Sequence, residues 1–220
     1  MSLTLTDASS RLKLVLASAS PRRLALLEQI GLVPDRLEPS YVDEAPQRLE
    51  LPRNLALRLA RTKALTAQRR LVLEEDVQGA LVLAADTVVA VGRRILPKAE
   101  TRAQAERCLQ LLSGRAHRVF TGIAVVDSKD KLHSRLVESR VRFKRLSRAE
   151  IAAYLTTMEW DGKAGGYAIQ GNAGAFVVQL IGSYSGVMGL PLYETAQMLS
   201  GCGLSITSAW HDSAPEGQSA

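Results

Sequence analysis

Leu12-Lys13-Leu14-Val15-Leu16-Ala17, then Ser18-Ala19-Ser20-Pro21-Arg22-Arg23, then Leu24-Ala25-Leu26-Leu27-Glu28-Gln29-Ile30-Gly31 reads as strand, polar turn and helix. The first run is short and almost wholly apolar, the pattern of a strand buried on both faces of a sheet, with Lys13 tolerable at its outer end. Ser20 fits the N-cap of the helix. Pro21 fits the first helical position, where its missing N–H costs nothing, and Gly31 fits the C-terminal end. The free N–H groups and the positive end of the helix dipole then face a turn holding Ser18, Ser20, Arg22 and Arg23. Hydroxyls and guanidiniums at the mouth of a helix suit a polyphosphate, because arginine offers paired donors to phosphate oxygens. The same residues also suit an ordinary capped helix with two solvated arginines.

A strand feeding a helix at the start of a 220-residue chain points to an α/β fold, large enough to bury a core either as one domain or as two lobes sharing a sheet. No apolar run reaches the roughly 20 residues that span a bilayer, and Met1 to Arg11 lacks a signal-peptide core, so a cytoplasmic location is expected. Residues 1–11 read as a flexible N-terminus, 12–206 as a single domain of one or two lobes, and 207–220 as a disordered tail. Cys108 and Cys202 have no Cys or His at metal-ligand spacing and read as inert. The formal charge of +6 raises the question of a polyanionic partner. Basic residues are scattered, however, and aromatic residues are only 5% of the chain, too few for a base-stacking surface. A small polyanion such as a nucleotide explains the charge without nucleic acid.

Along the chain, Asp35 to Glu44 is expected to be extended because of Pro34 and Pro39, and Glu44 belongs to an acidic pair that by itself reads as a solvated turn. Leu51 to about Arg70 has helical periodicity, and Lys63 falls on its apolar face with Leu55 and Leu59, aimed at a cleft or snorkelling at the core's edge. Leu81 to Val91 is the most apolar strand and carries Asp86 and Thr87 in its middle. An unpaired buried carboxylate is costly, so Asp86 is expected at a break or edge of the strand, bound to a metal, a lysine or hydrogen-bond donors. Gly92-Arg93-Arg94 turns the chain and returns Lys98 toward Asp86.

Thr101 and Ser147 each open a helix with a capping box. Between those helices, Arg118–Asp127 and Leu132–Leu146 form a hairpin whose second strand alternates like a half-solvated edge and is a candidate dimer contact. Gly162 to Gly171 and Gly182 to Gly189 are glycine-dense, suited to close backbone approach or to a mobile loop, and match neither the Walker nor the dinucleotide spacing. Leu190 to Leu199 closes the chain as a helix.

Four motifs in order, Ser18-x-Ser20-Pro21-Arg22-Arg23, Ala85-Asp86-Thr87, Lys163-Ala164-Gly165-x-Tyr167-x-Ile169-Gln170-Gly171 and Gly189-Leu190-Pro191-Leu192, give the chain its resemblance, from Leu14 to Leu199, to the Maf family of nucleoside triphosphate pyrophosphatases. The resemblance implies an elongated mixed β-sheet flanked by helices around a central cleft, related to the inosine triphosphatase group. It implies hydrolysis of a nucleoside triphosphate to monophosphate and pyrophosphate with a divalent cation, Mg2+ or Mn2+. It also implies a phosphate-binding set of Ser18, Arg22, Arg23, Lys63 and Lys98. Glu44 and Asp86 would be the acidic, metal-holding pair, with Asp86 as proton acceptor, and Arg22, Thr87 and Gln170 would be specificity positions.

Tyr-x-Ile-Gln-Gly resembles the branch acting on dTTP and UTP, as opposed to a sister branch that takes 7-methyl-GTP. Gln170 offers a donor and an acceptor on one amide, the complement of a uracil or thymine imide edge. A non-catalytic nucleotide or nucleic-acid binder in septum control stands as the alternative from a different class, and 7-methyl-GTP hydrolysis, which requires Gln170 to be irrelevant to base choice, as a further one. Two positions depart from the pattern. Gly162 stands where many relatives have aspartate, with a loop contact expected to shift or vanish, and Ala99 stands where proline is frequent, with a looser hairpin expected.

Overall fold

A computed structural model describes residues 12–207 and Trp210; the expected flexible N-terminus and nearly all of the expected tail lie outside the described residues. The opening stretch folds as read. Strand β1 (Leu14–Leu16) runs into helix α1 (Pro21–Gln29), and the chain returns as a short strand β2 (Arg36–Leu37) parallel to β1. Within the Asp35–Glu44 segment, expected to be extended, Arg36–Leu37 join the sheet and no helix forms. Helix α2 (Pro52–Leu71) then crosses over to β3 (Leu81–Val91), which lies parallel to β1 on its other side.

From β3 onward the sheet is antiparallel. A tight turn gives β4 (Arg94–Leu96), and two residues later β5 (Lys98–Ala99) leaves the sheet. Helix α3 (Arg102–Leu112) leads to the long hairpin of β6 (Ala116–Val126) and β7 (Leu132–Phe143). Helix α4 (Arg148–Thr156) follows, then β8 (Lys163–Ala164), which pairs with β5. The chain ends with β9 (Val177–Ile181), a short helix α5 (Tyr184–Met188) and α6 (Leu192–Gly201). The seven-stranded mixed sheet has the order β2-β1-β3-β6-β7-β9, with β4 against β3. Both capping boxes form, Thr101 with Gln104 and Ser147 with Glu150.

Alternation along β3 and β6 divides the core. Val82, Ala84, Ala124 and Val126 face α2, and Val88, Ala90 and Phe120 continue that face. Leu81, Leu83, Ile123 and Val125 face α1 and α6, while Val89, Val119, Val141 and Phe143 pack under α3 and α4. One helix therefore covers one face, and two separate helix groups cover the other. The two groups part at the level of Thr87 and Thr121, which is where the cleft lies.

Two expectations are corrected. β7 is not an edge throughout, because Arg140 to Phe143 pair with β9; its exposed alternation arises from charged residues on the solvent side of an interior strand. Gly182–Gly189 is not merely a loop, because Ser183 caps α5 by accepting the Gly186 N–H at 2.9 Å. Among the described residues, no helix is long and apolar enough to cross a membrane.

Candidate active site

The turn after β1 is built by Ser18, not Ser20. Ser18 Oγ accepts the Ser20 N–H at 3.2 Å and an Arg23 Nη1–H at 3.1 Å, and Ser20 occupies the N-cap without a side-chain cap bond. Arg23 is also anchored from the far end of the sequence, its Nε donating to Gly189 O at 2.9 Å. Arg22 is different: its Nε is buried with no hydrogen-bond partner among the described residues. Burial and then the neighbouring Arg23 charge hold the Arg22 guanidinium below the usual arginine range. Burial lowers Arg23 as well, opposed by the charges of Asp86 and Glu44. Arg23 is held by two hydrogen bonds while the Arg22 Nε has none, and both cations lie beside a helix N-terminus, an arrangement favourable to an anion.

Asp86 is 3% exposed and Lys63 is 7% exposed. Lys63 Nζ lies 2.5 Å from Asp86 Oδ1 and 2.6 Å from Glu44 Oε1, and Lys98 Nζ donates to Glu44 Oε2. Lys63 thus points into the cleft and does not snorkel, and Glu44 is not a free solvated turn residue. Burial raises the Glu44 carboxyl, but the hydrogen bonds from Lys63 and Lys98 outweigh it and the net shift is downward. Among the described residues nothing donates to Asp86 Oδ2.

β3 itself is unbroken at Asp86, so of the expected break or edge it is a local edge that forms. The discontinuity is in its neighbours: β1 pairs with residues 81–83 and β4 with 89–91. On that flank 84–88 have no strand partner among the described residues. On the other flank Asp86 pairs with Gly122, whose missing side chain lets α2 press against the sheet; a Cβ there would lie 2.4 Å from Ala56 O. This close approach seats Lys63, two turns further along α2, against Asp86.

The gap opens into a cleft lined by Arg22, Arg23, Lys63, Asp86, Thr87, Lys98 and Gln170, and an adjoining hollow adds Glu44 beside Asp86, Thr87 and Lys98. Ser18 lies behind them, holding Arg23. Every sequence-predicted site residue therefore falls in or directly behind one cleft. Gln170 is exposed on its rim.

Sequence reasoning passed over Lys163, Thr121 and Gly189. Lys163 lines the cleft, and burial followed by the Arg22 charge lowers its ammonium. Thr121 Oγ1 donates to Gly186 O at 2.7 Å and lies 3.1 Å from Thr87 Oγ1. Lys163 and Gly189 both stand in the quoted motifs, but the contacts of Gly189 with Arg23 and of Thr121 with Gly186 join segments far apart in the chain. Gly162 has φ +63°, and its N–H bonds Ala99 O at 2.8 Å, so the loop is held by main chain without the aspartate. Ala99 is fully buried and pairs with Lys163 on β8, while the β3–β4 hairpin keeps the pairs Val89–Leu96, Ala90–Ile95 and Val91–Arg94 without the proline.

The model of the Maf-like protein family matches residues 13–202. The chain belongs to the Maf family. A dTTP/UTP pyrophosphatase of Rhodopseudomonas palustris is 60% identical over 200 residues, covering 91% of this chain and 97% of the relative. A dTTP/UTP pyrophosphatase of Brucella abortus is also 60% identical, over 90% of this chain and 95% of the relative. Among solved structures, a HAM1 protein from Coxiella burnetii aligns over 86% of this chain and 99% of that one, at 15% identity and a TM-score of 0.45.

In this Maf-family chain Glu44 and Asp86 are the carboxylates that could hold a divalent cation. Their carboxylate oxygens converge on one ammonium and are hard ligands of the kind Mg2+ and Mn2+ take, and Asp86 Oδ2 is uncommitted, so the pair fits such an ion.

Proposed function

We propose that this chain hydrolyses dTTP and UTP between the α and β phosphates, releasing the nucleoside monophosphate and pyrophosphate. The observation that carries the reading is the juxtaposition of Asp86, at the unpaired flank of the central strand, with five cations, Arg22, Arg23, Lys63, Lys98 and Lys163, lining the same cleft. The names of the relatives at 60% identity support the choice of nucleotide.

Arg22, Arg23, Lys98 and the N–H groups opening α1 hold the triphosphate and neutralise charge gathering on the pyrophosphate leaving group. The free Nε of Arg22 gains a phosphate oxygen as partner, which removes the penalty of its buried, unpaired state. Asp86 Oδ2 orients the water that attacks the α-phosphorus and accepts its proton, while the Lys63 ammonium keeps the carboxylate in place through Oδ1. Glu44 and Asp86 would hold the Mg2+ or Mn2+, which when bound supplies positive charge to phosphate oxygens and acidifies water. The Gln170 amide, on the rim, reads the imide N–H and carbonyl of uracil or thymine, and cytosine inverts that pattern. Thr87, tied to Thr121, sits between the base and phosphate regions.

The test is pyrophosphate release from dTTP, UTP, CTP, purine triphosphates and 7-methyl-GTP with Mg2+ or Mn2+. Turnover is expected on dTTP and UTP, falling at least about 100-fold in Asp86→Asn. Absence of turnover on the whole panel, or turnover unchanged in Asp86→Asn, overturns the reading.

A further inference from the structure

Asp127, His133 and Cys202 lie apart from the cleft, at the turn end of the long hairpin. Asp127 follows the last residue of β6, His133 is the second residue of β7, and Cys202 is the C-cap of α6. Val125 is paired with His133, and cross-strand partners share a face, so His133 stands on the face that Val125 presents to α1 and α6. The register places this group far from the reaction centre: Asp86 is opposite Gly122 and Val82 opposite Val126, a separation of roughly 13 Å along the strands.

One ligand atom from each of the three side chains lies within 4.8 Å of the other two, and all three residues are half-buried. Asp127 is oriented by its own turn. Its Oδ1 accepts the N–H groups of Lys129 at 2.9 Å and Lys131 at 3.0 Å, which leaves Oδ2 facing His133 Nε2 at 2.8 Å. Such main-chain bonds to the second oxygen of a carboxylate are the kind of support that fixes metal ligands in place. The C-terminal end of α6 adds the negative pole of a ten-residue helix, favourable to a cation.

We infer that Asp127, His133 and Cys202 form a binding site for a borderline transition-metal dication of the Zn2+ type, separate from the hard-oxygen pair in the cleft. The ligand set is imidazole nitrogen, thiolate sulfur and carboxylate oxygen, the mixture Zn2+ takes. One carboxylate and one thiolate balance the double charge, and a fourth position is left for water. Binding asks the His133–Asp127 contact to open by about half an ångström, to the spacing of neighbouring ligands around a tetrahedral ion. The bound ion ties the β6–β7 turn to the end of α6 on one face of the sheet. A redox role for the thiol fits less well, because burial and then the Asp127 charge push Cys202 upward, away from the reactive thiolate form.

The test is titration of the chelator-treated full chain with Co2+, followed by Zn2+. A thiolate-to-cobalt charge-transfer band is expected, saturating at one ion per chain and abolished by Zn2+. The band persists in Cys108→Ala and is lost in Cys202→Ser, while His133→Gln weakens Co2+ at least about tenfold. Zn2+ is expected to raise the Tm of the wild-type chain and of Cys108→Ala but not of Cys202→Ser. No thiolate band in the folded wild-type chain, or a band retained in Cys202→Ser, overturns the site. Should Cys202→Ser fail to fold, Co2+ affinity unchanged in both His133→Gln and Asp127→Asn overturns it equally, and a tenfold loss supports it.

Discussion

The Lys63 ammonium lies 2.5 Å from Asp86 Oδ1, so the carboxylate on the central strand is half of a buried ion pair made by a helix packed across the sheet. Removing one partner strands the other. Lys63→Met is expected to cost about 3–5 kcal/mol of folding free energy, and adding Asp86→Asn should restore much of it, because the uncompensated charge is then gone. Urea unfolding of the single and double variants measures this. A single-variant loss below about 1 kcal/mol would mean that water, and not Lys63, satisfies Asp86.

The two arginines that look alike in sequence should behave differently. Arg23 holds Gly189 O and Ser18 Oγ, so Arg23→Ala is expected to cost about 1.5–3 kcal/mol as well as catalytic efficiency. Arg22 makes no such bond through Nε, and Arg22→Ala should leave stability within about 0.5 kcal/mol while raising KM for dTTP. Equal stability losses in the two variants would contradict this division.

Gly122→Ala places a methyl group against the backbone of Ala56 and Leu57. Displacing α2 costs about 1–3 kcal/mol and carries Lys63 away from Asp86, so kcat should fall although residue 122 touches no substrate. A variant that loses stability with kcat intact would uncouple the helix from the site.

Gln170→Leu removes the amide proposed to read the imide edge. Efficiency on dTTP and UTP should drop, and their preference over CTP should shrink at least about tenfold. Measuring kcat/KM on the three triphosphates decides it; an unchanged ratio would place base selection elsewhere.

His117 is 1% exposed among Phe143 and Tyr167, its Nε2 lying 2.8 Å from the Tyr167 hydroxyl, and burial lowers its pKa from 6.5 to about 4. The unfolded chain therefore takes up a proton first as pH falls. Stability from this group is complete above pH 6.5 and declines through the window down to about 4, by about 3 kcal/mol in all. His117→Gln should lower stability at pH 7 yet flatten its decline between pH 7 and 4, as read by chemical denaturation at each pH.

Much of the fold was legible from periodicity, since alternation and the 3.6-residue repeat are local. The β1–α1 start, α2, the full extent of β3 and both capping boxes follow from residues within one turn of each other. What eluded that reading depended on partners. β7 shows the alternation of an edge but has β9 beside part of it, and the glycine-rich 182–189 segment folds as α5 only because Ser183 caps it. Asp86 was suspect because a carboxylate in an apolar strand must be paired, but its partner could not be singled out.

The sequence by itself determined most of the longer strands and helices, which turn offers a helix N-terminus to an anion, and, through four motifs, the family. Only the tertiary structure decided that Lys63 reaches Asp86, that the opening beside it is a gap between β1 and β4 instead of a break in β3, and that Arg22 and Arg23 differ. It also brought Cys202 to His133 and Asp127, which spacing along the chain had kept apart. The reason is physical: secondary structure is encoded by side chains a few residues apart, whereas a site is made by register and packing. Those are set by long-range fits such as the bare Cα of Gly122 under α2, which no local pattern records.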